Sequence, residues 1–372
     1  MTLLTVNSGS TSVKLGVYEA SGTGEPLRVA SEQHTGRDLD PPTVLRGMAA
    51  KLHGAPEAIA HRIVHGGTRF VRPTRIDAGV VSAIEQLAPL APLHNPRALR
   101  WLAAAHKVWG TDVPQVAVFD TAFFAHLPRV AAEYALPAEI GVDRGVRRYG
   151  FHGLAHESMW RSWCRLYPEL PRGGRLITLQ LGGGCSITAI EQGLPLDTSM
   201  GFSPLEGLVM ATRAGDLDAA IVPYLERQLA LTGDEVIELL NNRSGLAGVS
   251  GTDASPAVLL ADPSPRSQFA VELYCYRIRK YLGAYMAVLG GCDGIVFGGG
   301  VGEHVPGIRS RVLTGFAWAG VALDPALNEA ARGADSRIGA AQAAVGVHVI
   351  GSDEESILAL AAAELAGVLS AN

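Results

Sequence analysis

The chain has 372 residues, 48% of them hydrophobic and 18% charged, with a formal net charge of −5. That length exceeds one ordinary core and reads as two domains, and the composition is globular rather than disordered. The charge balance excludes an electrostatic footprint for nucleic acid, and no apolar run approaches the roughly 20 residues of a membrane helix. No basic or apolar leader precedes the first strand pattern, and Cys164, Cys185, Cys275 and Cys292 lack metal-type or disulfide-framework spacing. They read as reduced thiols in a cytoplasmic protein. Lysine occurs only at Lys14, Lys51, Lys107 and Lys280, which makes Lys14, beside the first glycine turn, conspicuous.

Leu3–Val6 is an apolar run that breaks into Asn7-Ser8-Gly9-Ser10-Thr11-Ser12 and resumes over Val13–Tyr18. The pattern predicts a hairpin whose turn presents backbone N–H groups without Cβ obstruction, suited to phosphate oxygens. Ser21–Pro42 is rich in turn residues and predicts an edge strand. Ile59–Val64 reads as a strand entering His65-Gly66-Gly67, with His61 and Arg62 inside it. Ala78–Leu87 and Arg97–Trp109 read as helices, and Pro89, Pro92 and Pro96 predict an extended loop around His94. Gln115–Phe119 predicts a buried strand with Asp120 at its carboxyl end, where α/β sheets place ligands.

Phe123–Arg148 has little regularity and reads as the crossing between domains. A helix follows Tyr149-Gly150-Phe151-His152-Gly153. Leu176–Glu191 then repeats the opening hairpin, with Gln180-Leu181-Gly182-Gly183-Gly184 at its turn. Ser267–Leu289 has the period of a long helix. Gly294–Phe297 is a strand feeding Gly298–His304, a glycine loop placed at the start of a helix. Val345–Ile350, then Asp353-Glu354-Glu355 and an alanine-rich helix, close the chain. Strands and helices alternate throughout, which is an α/β class built from two related halves.

Each candidate has a plain reading beside the functional one. Arg62 and Arg213, taken singly, could be structural ion pairs or a bidentate clamp on an oxyanion. His152 and His94, taken singly, could be satisfied core histidines. An isolated glycine cluster could be only a tight turn, but three at strand ends favour phosphate binding.

Together these residues carry motifs that resemble the acetate kinase (acetokinase) family over essentially the whole chain. The motifs are Asn7–Lys14, His61–Gly67, Leu90–Pro96, Phe119–Phe123, Arg148–Gly153, Asp197–Gly207 and Thr212–Asp216. The resemblance implies a two-domain, duplicated ribonuclease-H-like (actin-like ATPase) fold with a ligand cleft between domains. It divides the chain into 1–122 plus 355–372, closed by the C-terminal helix, and 123–354, carrying the nucleotide loops and a dimer interface. It implies a homodimer and Mg²⁺-dependent, reversible phosphoryl transfer between ATP and acetate, giving acetyl phosphate and ADP.

By the same resemblance, Arg62 and Arg213 bind the transferring phosphoryl group, His152 donates to it and Asp120 is the catalytic carboxylate. Asn7 and Glu354 support Mg²⁺. Val64, Leu93, Phe151 and Pro204 form the methyl pocket, with Arg62 and His94 beside the substrate. Ser10, Ser12, Lys14, Gln180, Leu181, Gly182, Gly183, Gly184, Asp253, Gly300, Val301, Gly302, Glu303 and His304 serve the nucleotide and its phosphates. Four departures stand out. Gln180–Gly184 replaces His-Leu-Gly-Asn-Gly, His304 replaces an asparagine, and Leu154-Ala155-His156 replaces Thr-Ser-His. In Val249–Pro256 only Asp253 could stand in for an Asp-x-Arg, and only with a local deletion; the arginine has no counterpart. These leave open a different donor (pyrophosphate), a longer acceptor (propionate or butyrate), or a non-catalytic nucleotide-binding protein of actin-like fold.

Overall fold

The computed structural model describes residues 1–9, 12–21, 24–36, 38–52, 54–333 and 335–367. The chain divides into two compact units. The first comprises Met1–Ala125, Phe151–Ser158 and Asp353–Asn372; the second comprises His126–Gly150 and Met159–Ser352.

In the first unit, β1 (Thr2–Ser8), β2 (Ser12–Glu19), β3 (Leu27–Thr35), β4 (Ala58–Ile63), β5 (Thr74–Arg75) and β6 (Gln115–Phe119) form one sheet. Its order is β3-β2-β1-β4-β6-β5, with β1, β4 and β6 parallel and the other pairings antiparallel. The central strands are apolar on both faces because both faces are covered. Leu4, Val6, Ile59 and Leu15 pack against Trp101, Ala104 and Ala105 of the helix Asn95–Trp109. Leu3, Ala60 and Val118 face the small side chains Ala359, Ala362 and Ala363 of the helix Glu354–Leu365, which therefore lies close to the sheet. Asp353 caps that helix by accepting from the Ser356 N–H at 3.1 Å. The cap places Glu354 and Glu355 in its first turn, where the helix dipole favours carboxylates.

The second unit repeats this plan. Its strands are β7 (Arg175–Leu181), β8 (Cys185–Glu191), β9 (Leu194–Thr198), β10 (Gly294–Gly298), β11 (Ser336–Arg337) and β12 (Gly346–Val349). Their order, read from the other edge, is β9-β8-β7-β10-β12-β11, with β7, β10 and β12 parallel. Order and polarity match the first sheet strand for strand. The chain is a duplicated ribonuclease-H-like α/β fold. Each copy places a glycine-bearing hairpin turn at the end of its first strand, which is the echo seen in the sequence.

The segment around His94 differs from expectation. Ala88–Leu90 forms a 3₁₀ turn, further turns follow, and His94 caps the helix Asn95–Trp109 with α-region dihedrals of φ −117° and ψ −57°. Pro89 and Pro96 occupy first-turn positions, where a missing N–H is harmless and the fixed φ suits a helix. The prolines compact this stretch instead of extending it. An early helix, Pro41–Ala49, started by Asp40 accepting from Thr43 N–H, begins at the end of the turn-rich Ser21–Pro42 and runs on through residues to which the sequence pattern assigned no element.

Candidate active site

Arg62 lies near the end of β4, and the first unit surrounds its guanidinium with acceptors. Nε donates to Asp120 Oδ1 at 3.0 Å, and Nη2 to Asp120 Oδ2 at 2.6 Å. Nη1 reaches Asn7 Oδ1 at 3.2 Å and Glu354 Oε2 at 3.1 Å. Asn7, one residue from the end of β1, in turn donates through Nδ2 to Glu354 at 2.8 Å and Glu355 at 2.6 Å. Strand ends β1, β4 and β6 and the first turn of the closing helix thus bring Asn7, Arg62, Asp120 and Glu354 into one hydrogen-bonded network. Glu355, which sequence reasoning passed over, belongs to it as well. The run Asp353-Glu354-Glu355 was the available signal.

The electrostatics follow from burial. Asp120 is 1% exposed; desolvation pushes its pKa upward, while the Arg62 charge and hydrogen bonds, and the His152 backbone N–H, pull it down. Arg62 is held charged against its own desolvation by Asp120, Glu354 and Glu355. The two shifts pull the pair toward different states. Both Asp120 oxygens accept from the guanidinium, so the ionised pair is the form this geometry fits. Burial likewise raises Glu355, opposed by Lys14 and the Asn7 hydrogen bond. Lys14 faces Asn7 across the hairpin.

His152 adopts φ +58°, in the left-handed region where a non-glycine residue costs about 1–3 kcal/mol. Gly153 follows, and a Cβ there would overlap the Asp120 carbonyl oxygen. Glycine is required for the helix start to approach β6 this closely. Phe151, 2% exposed, packs edge-on against His65 at 5.6 Å. Asn95 fixes the His65 backbone by accepting from its N–H at 3.1 Å and donating to its carbonyl at 3.0 Å. Val64 is buried, and Leu93 is 66% exposed on the turn before His94. Ser12 begins β2, whereas Ser10 lies outside the described residues.

The second unit gathers the other candidates. Gln180 and Leu181 end β7, followed by Gly182–Gly184. Gly298 pairs with Gln180, and Gly299, at φ +75°, lies against the Leu181 backbone, bringing the second and third glycine loops together. Gly300, Val301, Gly302, Glu303 and His304 form the short helix after β10. The Glu303 carboxylate accepts from Gly299 N–H at 2.9 Å and Ser352 N–H at 3.3 Å, bracing that loop. The Gly183 carbonyl accepts from Ala211 N–H at 3.1 Å, tying the hairpin to the loop that carries Arg213. Asp253 accepts from Ser255 N–H in a tight turn.

Arg213 contrasts with Arg62. Its guanidinium donates to the Pro204 carbonyl at 3.3 Å and contacts the Met210 sulfur at 3.7 Å. Among the described residues no carboxylate pairs with it, and burial lowers its pKa. A desolvated cation without a counter-charge is suited to an anionic ligand. Pro204 and Arg213 share a loop that Glu206 and Asp216 fix. Glu206 pairs with Arg148 at 2.5 Å and with the Tyr134 hydroxyl, and Asp216 accepts from Gly207 N–H at 2.8 Å.

The comparisons decide the family. The Acetokinase family pattern matches residues 43–360. The chain belongs to the acetokinase family. It is 44% identical over 307 residues to the acetate kinase of Chloroherpeton thalassium, covering 81% of this chain and 74% of that one. The crystal structure of Porphyromonas gingivalis acetate kinase aligns at a TM-score of 0.84 and 34% identity, over 97% of this chain and 98% of that one. A propionate kinase structure from Francisella tularensis aligns at 0.85 and 30%, again over 97% and 98%. Phosphoryl transfer agrees with what each unit offers by itself: a cation among clustered carboxylates in the first, and a cation and two glycine loops in the second.

Proposed function

We propose that this acetokinase transfers a phosphoryl group reversibly between ATP and acetate, giving acetyl phosphate and ADP. The observation that carries the reading is the contrast between the two arginines. Arg62 is held rigidly by Asp120 and Glu354, while partly buried Arg213 has no carboxylate partner among the described residues, as a group awaiting an anion would. An acetate oxygen attacks the γ-phosphorus and the β,γ-bridging P–O bond breaks, releasing ADP. Acetate is already ionised at neutral pH, so no proton has to be removed. Catalysis here is alignment and charge stabilisation.

In this reading Arg62 and Arg213 bind the equatorial phosphoryl oxygens and His152 donates to one of them. Asp120 fixes the Arg62 plane, and the glycine-loop N–H groups of Gly182–Gly184 and Gly300–Gly302 take the donor phosphates. Asp120, Glu354 and Glu355 outnumber Arg62 and Lys14, leaving local negative charge that suits a divalent cation. Mg²⁺ keeps most of its waters and needs only one or two carboxylates beside phosphate. Glu354 and Asn7 would hold it through its water shell, and it would neutralise donor phosphate charge.

Val64, Leu93, Phe151 and Pro204 are assigned to the methyl pocket. Propionate is a second acceptor, since one methylene is worth only about 1–3 kcal/mol and Leu93 stands on an exposed turn. Among the described residues no helix is long and apolar enough to cross a membrane, and we place the protein in the cytoplasm. We also assign a homodimer. The helix Pro265–Val288 exposes Phe269 and Tyr276 on one face, next to Trp318, which is 75% exposed. The test is a donor and acceptor panel with hydroxylamine trapping of the acyl phosphate. Mg²⁺-dependent hydroxamate from ATP and acetate is expected. Product only with pyrophosphate, or none with any nucleoside triphosphate, would overturn the reading.

A further inference from the structure

Within the second unit, the segment Asp197–Asp216 carries Pro204 and Arg213, and one stripe of the helix Pro265–Val288 reaches both of its ends. At the far end, Arg277 donates through Nη2 to the Asp216 carbonyl at 3.4 Å, and the Tyr281 hydroxyl donates to Asp216 Oδ2 at 2.7 Å. Burial and this carboxylate push the Tyr281 phenol pKa up, which keeps it the donor. At the near end, partly buried Asp197 lies 3.9 Å from Arg148 and faces Tyr285. Tyr285 packs edge-on against Tyr281, with ring centres 5.7 Å apart. Residues 277, 281 and 285 recur every fourth position, so they share one side of the helix. The helix is a firm post, since its Tyr274, Ile278, Leu282 and Tyr285 side chains are buried.

Asp216 also closes the segment on itself. Its Oδ1 accepts from Gly207 N–H at 2.8 Å, and its own N–H donates to the Gly207 carbonyl at 3.0 Å. Gly215, at φ +72°, permits this crossing: a Cβ there would lie 2.6 Å from the carbonyl oxygens of Gly207 and Leu208. Gly207–Asp216 is therefore a loop pinned at its neck. Inside it the Met210 N–H donates to the Arg213 carbonyl at 3.1 Å, and the Arg213 guanidinium reaches the Pro204 carbonyl at 3.3 Å. No carboxylate among the described residues orients that guanidinium, so its place depends on the loop backbone and on the neck that holds it. The Tyr281 hydrogen bond is the side-chain tie from the helix to the carboxylate at that neck, and hydrogen bonds to an ionised group are the strong ones.

We propose that Tyr281, acting through Asp216, is a positioning residue for Arg213: it anchors the neck of the loop and so fixes where the guanidinium meets a phosphoryl group. The inference rests on the acetate kinase reading above. A misplacement of about 1 Å in a charge-stabilising group costs about 100-fold in rate, and losing one of several anchors costs less. The test measures kcat, the KM for ATP and the KM for acetate in Tyr281→Phe, Asp216→Asn and Asp216→Ala. Tyr281→Phe is also made in an Arg213→Met background. Binding of inorganic phosphate to the same proteins is followed by titration calorimetry.

Tyr281→Phe should lower kcat about 5- to 20-fold and leave the KM for ATP within about two-fold. Asp216→Asn can still accept from Gly207 N–H and donate to the Tyr281 oxygen, so it should retain more turnover than Asp216→Ala. With Arg213→Met already present, Tyr281→Phe should change kcat by less than about two-fold, because the group it positions is gone. A merely structural role would lower kcat alike in both backgrounds. That equal loss would overturn the proposal, as would a Tyr281→Phe protein with the parent kcat. Absence of turnover in the parent protein would sink the acetate kinase reading separately. Phosphate binding then decides: Tyr281→Phe and Arg213→Met should both weaken it, and parent-like binding in Tyr281→Phe would overturn the positioning role.

Discussion

Asp120→Asn removes one oxygen and one charge from a pair in which both partners are almost wholly buried. Arg62 and Asp120 side chains are 13% and 1% exposed. The new amide turns an N–H₂ toward a guanidinium that can only donate. Breaking one side of a buried ion pair costs about 3–5 kcal/mol, and Glu354 at 3.1 Å remains to share the Arg62 charge. The expected loss is therefore at the lower end, about 3 kcal/mol. The first unit has about 150 residues, for which each kcal/mol shifts the melting temperature by about 2–4 °C. Melting of the first unit should fall by about 6–12 °C in differential scanning calorimetry. The double variant Arg62→Met with Asp120→Asn should lose less than the two single losses combined, because neither member of this pair is left charged without the other. A shift below about 2 °C for Asp120→Asn, or strictly additive losses, would refute the picture of a mutually dependent pair.

Burial holds His61, His65 and His348 near a pKa of about 4 against a usual 6.5. The unfolded chain binds more protons between those values, so stability is complete above about pH 6.5 and declines toward pH 4. Each group contributes on the order of 3 kcal/mol at the acid end; urea midpoints at pH 7.5, 6 and 5 should fall in that order, and less steeply in His61→Leu. Asn95→Ala orphans the buried His65 N–H and carbonyl. It should cost about 2–4 kcal/mol and raise the KM for acetate more than that for ATP, as steady-state kinetics and denaturant titration would show.

Arg62 and Asp120 were legible because a charge beside an apolar strand is expensive unless it is used, and strand ends are where α/β folds bind ligands. The duplication was legible only as two similar hairpins; the matching order of both sheets depends on long-range pairing that no local pattern encodes. Glu355 was passed over because one first-turn carboxylate looks like the next until Asn7 is seen to hold both. Asn95 fell inside the loop read around His94, and its amide fixes a backbone 30 residues away. The prolines around His94 misled because proline suits a helical first turn as well as an extended strand.

The central proposal is that Arg213, a partly buried cation with no carboxylate partner among the described residues, is kept for a phosphoryl group. The most direct measurement combines the melting temperature and the kcat of Arg213→Met. With desolvation relieved, the variant should melt at or above the parent temperature while its turnover falls by about 100- to 1,000-fold. A variant that melts well below the parent, or turns over at the parent rate, would contradict the account.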